Sequence, residues 1–125
     1  MPWLEIVLRS IVALILIVFP VNALFLKLFR PTIPERGALL MKAFADTGYL
    51  LPFIQYSELV FGILLLFNVA TPLVLVLLIA ITVNIFLFHI FLAPPVFGPG
   101  PALFVLNVAL IVLHYRDYLA LIRGF

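Results

Sequence analysis

The sequence contains no cysteine, which excludes disulfide bonds, thiolate metal ligands and iron–sulfur clusters for this chain of 125 residues. Charged residues are scarce as well, at 10% of the chain compared with about 25% in soluble domains. Residues 59–115 include no Asp, Glu, Lys or Arg. No run of basic residues indicates binding to nucleic acid. The chain therefore lacks an intrinsic set of redox ligands, and any redox role needs a cofactor supplied from elsewhere.

Hydrophobic residues are abundant, at 67% of the chain against about 45–50% in ordinary domains. Long apolar runs alternate with breaks rich in proline and glycine, and the runs approach the length of about 20 residues that a membrane-crossing helix needs. The pattern predicts an all-α fold, an integral membrane four-helix bundle with short connecting loops. This single domain of residues 1–125 has predicted spans at about 8–29, 52–69, 73–93 and 102–117.

The first span has an uncharged centre, residues 10–26, which measures roughly 25 Å as a helix. Pro20 lies in its second half and removes one helical hydrogen bond, so we expect a kink near Phe19. An alternative is a signal peptide, since Val21 and Ala23 resemble a cleavage site of small residues. The apolar sequence continues past this point, which favours a retained first helix.

The connections between the spans differ in character. The stretch after Gly37 is amphipathic and predicts a short interfacial helix between helices one and two, with a plain connecting loop as the alternative. Thr71 and Pro72 predict a tight turn, because proline can begin a helix without its missing N–H. Residues 94–101 hold four prolines and two glycines, which predicts an ordered loop or a re-entrant cap.

Polar residues fall mainly in one half of the predicted membrane. We call this half the loop side, because it carries the connections at residues 30–48 and 94–101 while both termini lie opposite. All four predicted helices place polar groups about 5–14 Å from the loop-side surface. They predict a pocket for a quinone or lipid head group, lined by Lys27, Gln55, Glu58, His89 and Asn107.

Within this pocket we expect Lys27 and Glu58 to form an ion pair, because an unpaired carboxylate at that depth is costly. Gln55, Glu58 and Gly62 share one helix face, and the glycine leaves room for a neighbouring backbone. Taken singly, each of these polar residues could instead have a structural role, forming a hydrogen bond between two helices.

The two histidines do not suit a shared haem. His89 lies near the loop side and His114 near the other surface, about 12 Å or more apart in depth. Only one His and one Glu converge, so no metal site is predicted. His114 is expected at the interface, beside Tyr115 and Tyr118. Asn84 is expected to hydrogen-bond between helices.

Several motifs resemble the DoxX-like family of small membrane proteins. The first span ends in FLKLF, the following loop contains FADTG, and the later spans contain SELVFGILLLFNVAT and NIFLFHIFL. Together these motifs carry a resemblance that extends over roughly residues 8–121. Family-typical places are occupied by Lys27, Gly48, Glu58, Gly62 and His89.

The resemblance implies a four-helix transmembrane bundle associated with quinone-linked oxidoreductases. It favours an accessory subunit of a membrane-bound electron-transfer complex, located in the bacterial inner membrane. Its expected partners are membrane lipid and a larger membrane protein complex. One alternative is a self-contained quinone-reactive or small-molecule oxidoreductase using Lys27, Glu58 and His89, and a second is a minimal transporter. No catalytic residue is assigned.

Overall fold

The computed structural model describes residues 2–28, 34–92 and 98–123, and the regular structure within these ranges is entirely helical. This confirms the all-α class. The helices are α1 (Pro2–Val21), continued by a π-helical turn (Asn22–Leu26), then α2 (Glu35–Asp46), α3 (Leu50–Leu66), α4 (Thr71–Phe91), α5 (Pro99–Leu113) and α6 (Tyr115–Arg123).

Two helical stretches, Pro2–Leu26 and Thr71–Phe91, are each long and apolar enough to cross a membrane. Two further candidates are bent pairs of helices. The α2 and α3 axes meet at 94°, and the α5 and α6 axes meet at 67°. If each bent pair counts as one span, up to four helical segments have the length and composition to cross a bilayer, which is compatible with a membrane protein.

The helix bounds differ from the predicted spans mainly at the two ends of the chain. Helix α1 begins at Pro2, several residues before the predicted start, and its π-helical extension ends at Leu26. The last predicted span, 102–117, is divided at His114, where one helix ends and another begins. Half of the predicted loop at residues 94–101, residues 94–97, lies outside the described residues, as do residues 29–33. Of the other half, Pro99 to Pro101 already belong to α5.

Proline and glycine shape the short connections. Gly48 separates α2 from α3 with a φ of 82°, a conformation that glycine adopts without strain. Helix α4 follows the predicted tight turn, with Ala70 in the left-handed region and Pro72 in the first turn of the helix. The hydroxyl of Thr71 donates a hydrogen bond to the side chain of Asn68 in this turn. The turn predicted between the second and third spans is confirmed.

The predicted kink site near Pro20 lies at a change in helix type. Pro20 is inside α1, and the π-helical turn starts two residues later. Asn22 ends the turn, since its backbone carbonyl accepts from the Lys27 N–H at 2.6 Å and its side-chain Oδ1 accepts from the Leu28 N–H at 2.8 Å. Proline removes a helical N–H, so a local change in the hydrogen-bond pattern is the expected response.

The core lies between two helix pairs. Helix α1 packs on α3, α4 packs on α5, and α1 also contacts α5. The buried apolar side chains of this core are small or aliphatic: Val12, Ala13, Leu16, Leu65, Val74, Leu75, Leu78, Leu103 and Leu110. Large aromatic side chains such as Phe53, Phe67 and Phe91 lie exposed on the outer helix faces. The described helices therefore expose extensive apolar surface.

Candidate functional site

Lys27 does not reach the position that the sequence predicts for it. The residue adopts a left-handed conformation, with φ at 52°, and its side chain is exposed. The ion pairs between described residues do not include one from Lys27 to Glu58. The expected ion pair is therefore wrong, because the helical path ends at Leu26 and Lys27 leaves the face that α1 presents to α3.

Asn107 is fully buried and is used to join α4 to α5. Its Oδ1 accepts a hydrogen bond from Thr82 Oγ1 at 2.7 Å, and its Nδ2 donates to the Leu75 carbonyl at 3.2 Å. The pair of side chains is also fully enclosed, since Thr82 is buried too. Asn107 therefore forms hydrogen bonds between two helices of the chain, which is the structural interpretation given for each of these polar residues.

The bond between Thr82 and Asn107 is expected to contribute about 1 kcal/mol to stability, within the range found for hydrogen bonds between membrane helices. The variants Thr82→Val and Asn107→Leu should each destabilise the protein, and the double variant should lose less than the sum of the two. Thermal unfolding in one detergent, followed by helical circular dichroism, measures this coupling. Simply additive losses would contradict the assignment.

His89 packs between α4 and the start of α5. Its Nδ1 lies 3.0 Å from the Ile85 carbonyl, so this nitrogen carries the proton and donates. The ring fills the space beside Gly100, where an added Cβ would lie 2.6 Å from His89 Cε1. His89 is thus fixed by local packing, and its remaining nitrogen, Nε2, is a hydrogen-bond acceptor.

Gln55 and Glu58 have no side-chain hydrogen bond to the described chain, and unlike Lys27, whose side chain also has none, they are not fully exposed. Both are half-buried and lie one turn apart on α3. The π-helical turn contacts this part of α3, where Phe25 and Tyr56 pack edge to face with ring centroids 6.2 Å apart. Gly62 follows Glu58 by one turn and faces α1. The two polar side chains therefore border the junction of α3 with the irregular end of the first helix.

A polar cluster that sequence reasoning missed lies at the opposite end of the helices. We call it the terminal cluster, formed by Glu5, Arg9, His114 and Asp117. The buried Arg9 donates from Nε to Glu5 Oε1 at 2.7 Å and from Nη1 to the Leu65 carbonyl at 2.6 Å. His114 lies 3.3 Å from Glu5 through Nε2 and 3.2 Å from Asp117 through Nδ1. The cluster thus connects α1, the end of α3 and the α5–α6 junction.

The contact of Arg9 with Leu65 has a clear electrostatic basis. Leu65 lies in the last turn of α3, at the negative end of the helix dipole. Its carbonyl also accepts from the Asn68 N–H at 3.1 Å, so Arg9 adds a second, charged donor and offsets that partial charge. The spacing of Glu5 to Arg9 at i,i+4 and of His114 to Asp117 at i,i+3 was the available signal in the sequence.

His114 lies between two carboxylates, within hydrogen-bond distance of Glu5 through Nε2 and of Asp117 through Nδ1. A second link holds α6 in place, since the Tyr118 hydroxyl donates to the Pro72 carbonyl at 2.7 Å. The terminal cluster therefore closes one end of the structure with groups that satisfy one another.

No family model, curated protein or solved structure matches this chain.

The two ends of the structure differ in what they offer chemically. The terminal cluster is bonded internally, and Arg9 is buried within it. Gln55 and Glu58 remain open to an external group. An amide can donate and accept, and a protonated carboxyl can donate, so this pair can hydrogen-bond to a carbonyl or hydroxyl group.

Proposed function

We propose that the protein is a membrane-spanning accessory subunit of a larger quinone-linked redox complex in a bacterial inner membrane, similar to DoxX-like proteins. The observation that carries the proposal is the division of polar groups in the described chain. The side chains of Asn107 and Arg9 form hydrogen bonds within the chain, whereas those of Gln55 and Glu58 form no hydrogen bond to any described residue. A chain that leaves these two polar side chains open among largely apolar helix faces suits a subunit that docks against other helices.

The proposed topology has four spans. The first is α1 with its π-helical turn, and the others are α3, α4 and α5. Helix α3 measures about 25 Å and α5 about 22 Å, shorter than the ~30 Å hydrocarbon core, so the bilayer would thin locally or neighbouring residues would snorkel. The bends of 94° and 67° lead α2 and α6 away from these axes, as helices lying along the membrane surface would require.

Glu58 is the proposed point of contact. A carboxyl within an apolar helix costs a few kcal/mol unless it is paired or protonated, so its retention on α3 calls for a partner. We place that partner outside the chain, either a polar group of a neighbouring subunit or the head group of a quinone. Gln55, one turn away, would supply a second hydrogen bond. This narrows the predicted pocket to two of its five residues.

The second candidate function is a self-contained quinone-reactive membrane enzyme. The open pair of Gln55 and Glu58 favours it, because both side chains are free to hydrogen-bond a quinone carbonyl. The proposed cluster of Lys27, Glu58 and His89 does not assemble in the described chain, since Lys27 is exposed and His89 packs beside Gly100. The accessory role therefore has the stronger support.

The test is purification of a tagged chain from its native membrane in a mild detergent. We expect redox subunits to co-purify, and Glu58→Leu to reduce their yield about tenfold, equivalent to ~1.4 kcal/mol of binding. Glu35→Gln is the matched control, because Glu35 is an exposed carboxylate on α2. Mass spectrometry identifies the subunits, and extraction followed by chromatography measures bound quinone.

Two outcomes decide against the accessory role. A solitary protein that retains quinone, and loses it in Glu58→Leu, would instead support the second candidate. A solitary protein without quinone would contradict both functions. If Glu58→Leu and Glu35→Gln reduce the yield of co-purified subunits equally, Glu58 is not part of the contact, and the accessory role still stands.

A further inference from the structure

One face of α4 is turned away from the other described helices and carries exposed side chains along its whole length. We call it the α4 outer stripe. Its positions are all exposed, and they are spaced by four, three, four, three and four residues: Leu73, Leu77, Ala80, Asn84, Leu87 and Phe91. The opposite face of α4 is buried against the core. These steps average 3.6 residues, the period of a straight α-helix, so the six positions form one continuous face along the length of α4.

Asn84 is a polar side chain on the exposed face of a helix that is long and apolar enough to cross a membrane. It lies 13 residues after the start of α4 and seven before its end, about 20 Å and about 10 Å along the helix. Its Nδ2 donates one hydrogen bond to the Ala80 carbonyl at 2.6 Å, within its own helix. The side-chain oxygen and the second N–H have no partner in the described chain. Polar groups without partners are costly at this depth.

Asn107 shows how an asparagine in an apolar helix is satisfied when a second helix lies beside it. Its oxygen and its nitrogen both bond across to α4 inside the core. Asn84 has the same side chain, but none of the helices that the structure describes lies on its side of α4. The sequence-based expectation that Asn84 joins two helices of this chain is therefore wrong, because the residue lies on the outer face of α4.

A second copy of this chain fits the stripe better than any other occupant. Copies inserted in one membrane share an orientation, so a two-fold axis along the membrane normal brings two α4 helices together in parallel. Residues at equal depth then face each other. An asparagine side chain is self-complementary, since it donates and accepts, and Ala80 one turn away allows close approach.

We propose that the protein forms a parallel homodimer through the α4 outer stripe, in which Asn84 hydrogen-bonds to Asn84 of a second copy. One asparagine in a heptad of apolar residues is the device by which paired helices set their register and their number of strands. Other exposed faces, such as Val105, Val108 and Val112 on α5, are apolar and need no polar partner. The dimer is independent of the accessory role, because Glu58 lies on α3.

Disulfide cross-linking in membranes tests the dimer directly, since the chain has no cysteine of its own. We expect Leu87→Cys, on the stripe, to form a dimer of twice 14.0 kDa on mild oxidation. Val105→Cys is the matched control, because it is exposed on α5 near the same end of the α4–α5 pair, and it should cross-link at least tenfold less.

Adding Asn84→Leu to the Leu87→Cys chain should weaken dimerisation about fivefold to tenfold, the size expected for lost hydrogen bonds between membrane helices. Dilution of the protein in detergent, followed by energy transfer between labelled copies, measures the association constant. Because Asn84 is exposed in the monomer, its replacement should leave thermal unfolding of the monomer unchanged.

Three results would overturn the proposal. The first is equal cross-linking of Leu87→Cys and Val105→Cys, which indicates random collision. The second is unchanged or stronger dimerisation in Asn84→Leu. The third is a cross-linked product with a mass other than twice that of the chain, which would identify a different protein as the occupant of the stripe.

Discussion

Arg9→Met is expected to lower the free energy of unfolding by about 3 kcal/mol, the cost of breaking a buried charged network by removing one member. Arg9 is 7% exposed and bonds at once to Glu5 and to the Leu65 carbonyl. Its loss leaves the Glu5 carboxylate with only His114 and leaves the end of α3 without its cationic partner. Chemical unfolding in a fixed detergent, followed by circular dichroism, measures the change.

Arg9→Lys should recover less than half of this loss. The guanidinium directs Nε toward α1 and Nη1 toward α3 in one rigid plane, whereas an ammonium group is a single point on a flexible stem. Arg123→Met is the control, because Arg123 is exposed on α6 and its replacement should change stability by less than about 0.5 kcal/mol. If Arg9→Met and Arg123→Met behave alike, the terminal cluster does not stabilise the fold.

Gly62→Val is expected to destabilise the protein by about 3 kcal/mol, at the upper end of the usual cost of overpacking. A Cβ at Gly62 would lie 2.9 Å from Leu16 Cβ and 3.1 Å from the Ala13 carbonyl oxygen. Neither atom is the free end of a flexible side chain, so α1 and α3 must separate. The same separation would lengthen the bond from Arg9 to the Leu65 carbonyl.

A graded series distinguishes this contact from a general effect of valine in a helix. Gly62→Ala should cost less than Gly62→Val, because alanine gains about 1 kcal/mol of helix propensity over glycine and adds only the first carbon. Ala102→Val, on the exposed face of α5, should be close to neutral. Thermal unfolding of all three variants in one detergent provides the comparison. A Gly62→Val protein as stable as the parent would show that α1 and α3 do not meet there.

The helices themselves were predictable because their signals are local. Apolar runs, Pro72 in the first turn of α4 and Gly48 before α3 all act within a few residues. The division at His114 was not predicted, since neither proline nor glycine marks it. The close approach at Gly62 was expected from the glycine within α3, and the structure confirms it through the contacts with Leu16 and Ala13.

The candidate site was less predictable, because depth along a helix is only one of the coordinates that decide a contact. Lys27 and Glu58 lie at compatible depths in the sequence, yet a left-handed residue at the helix end turns the lysine outward. Asn84 and Asn107 are both asparagines inside apolar helices. One faces out and the other is fully buried, because the rotation of each helix about its own axis differs.

By itself the sequence determined an all-helical, strongly apolar chain with breaks at its proline and glycine clusters, and segments apolar enough to cross a membrane. These properties depend on composition and on hydrogen bonds within a few residues. Only the tertiary structure decided that Arg9 reaches the carbonyl of Leu65 and that Asn84 is left outside. Such contacts join residues far apart in sequence, and they depend on which helices are neighbours and on how each helix is rotated.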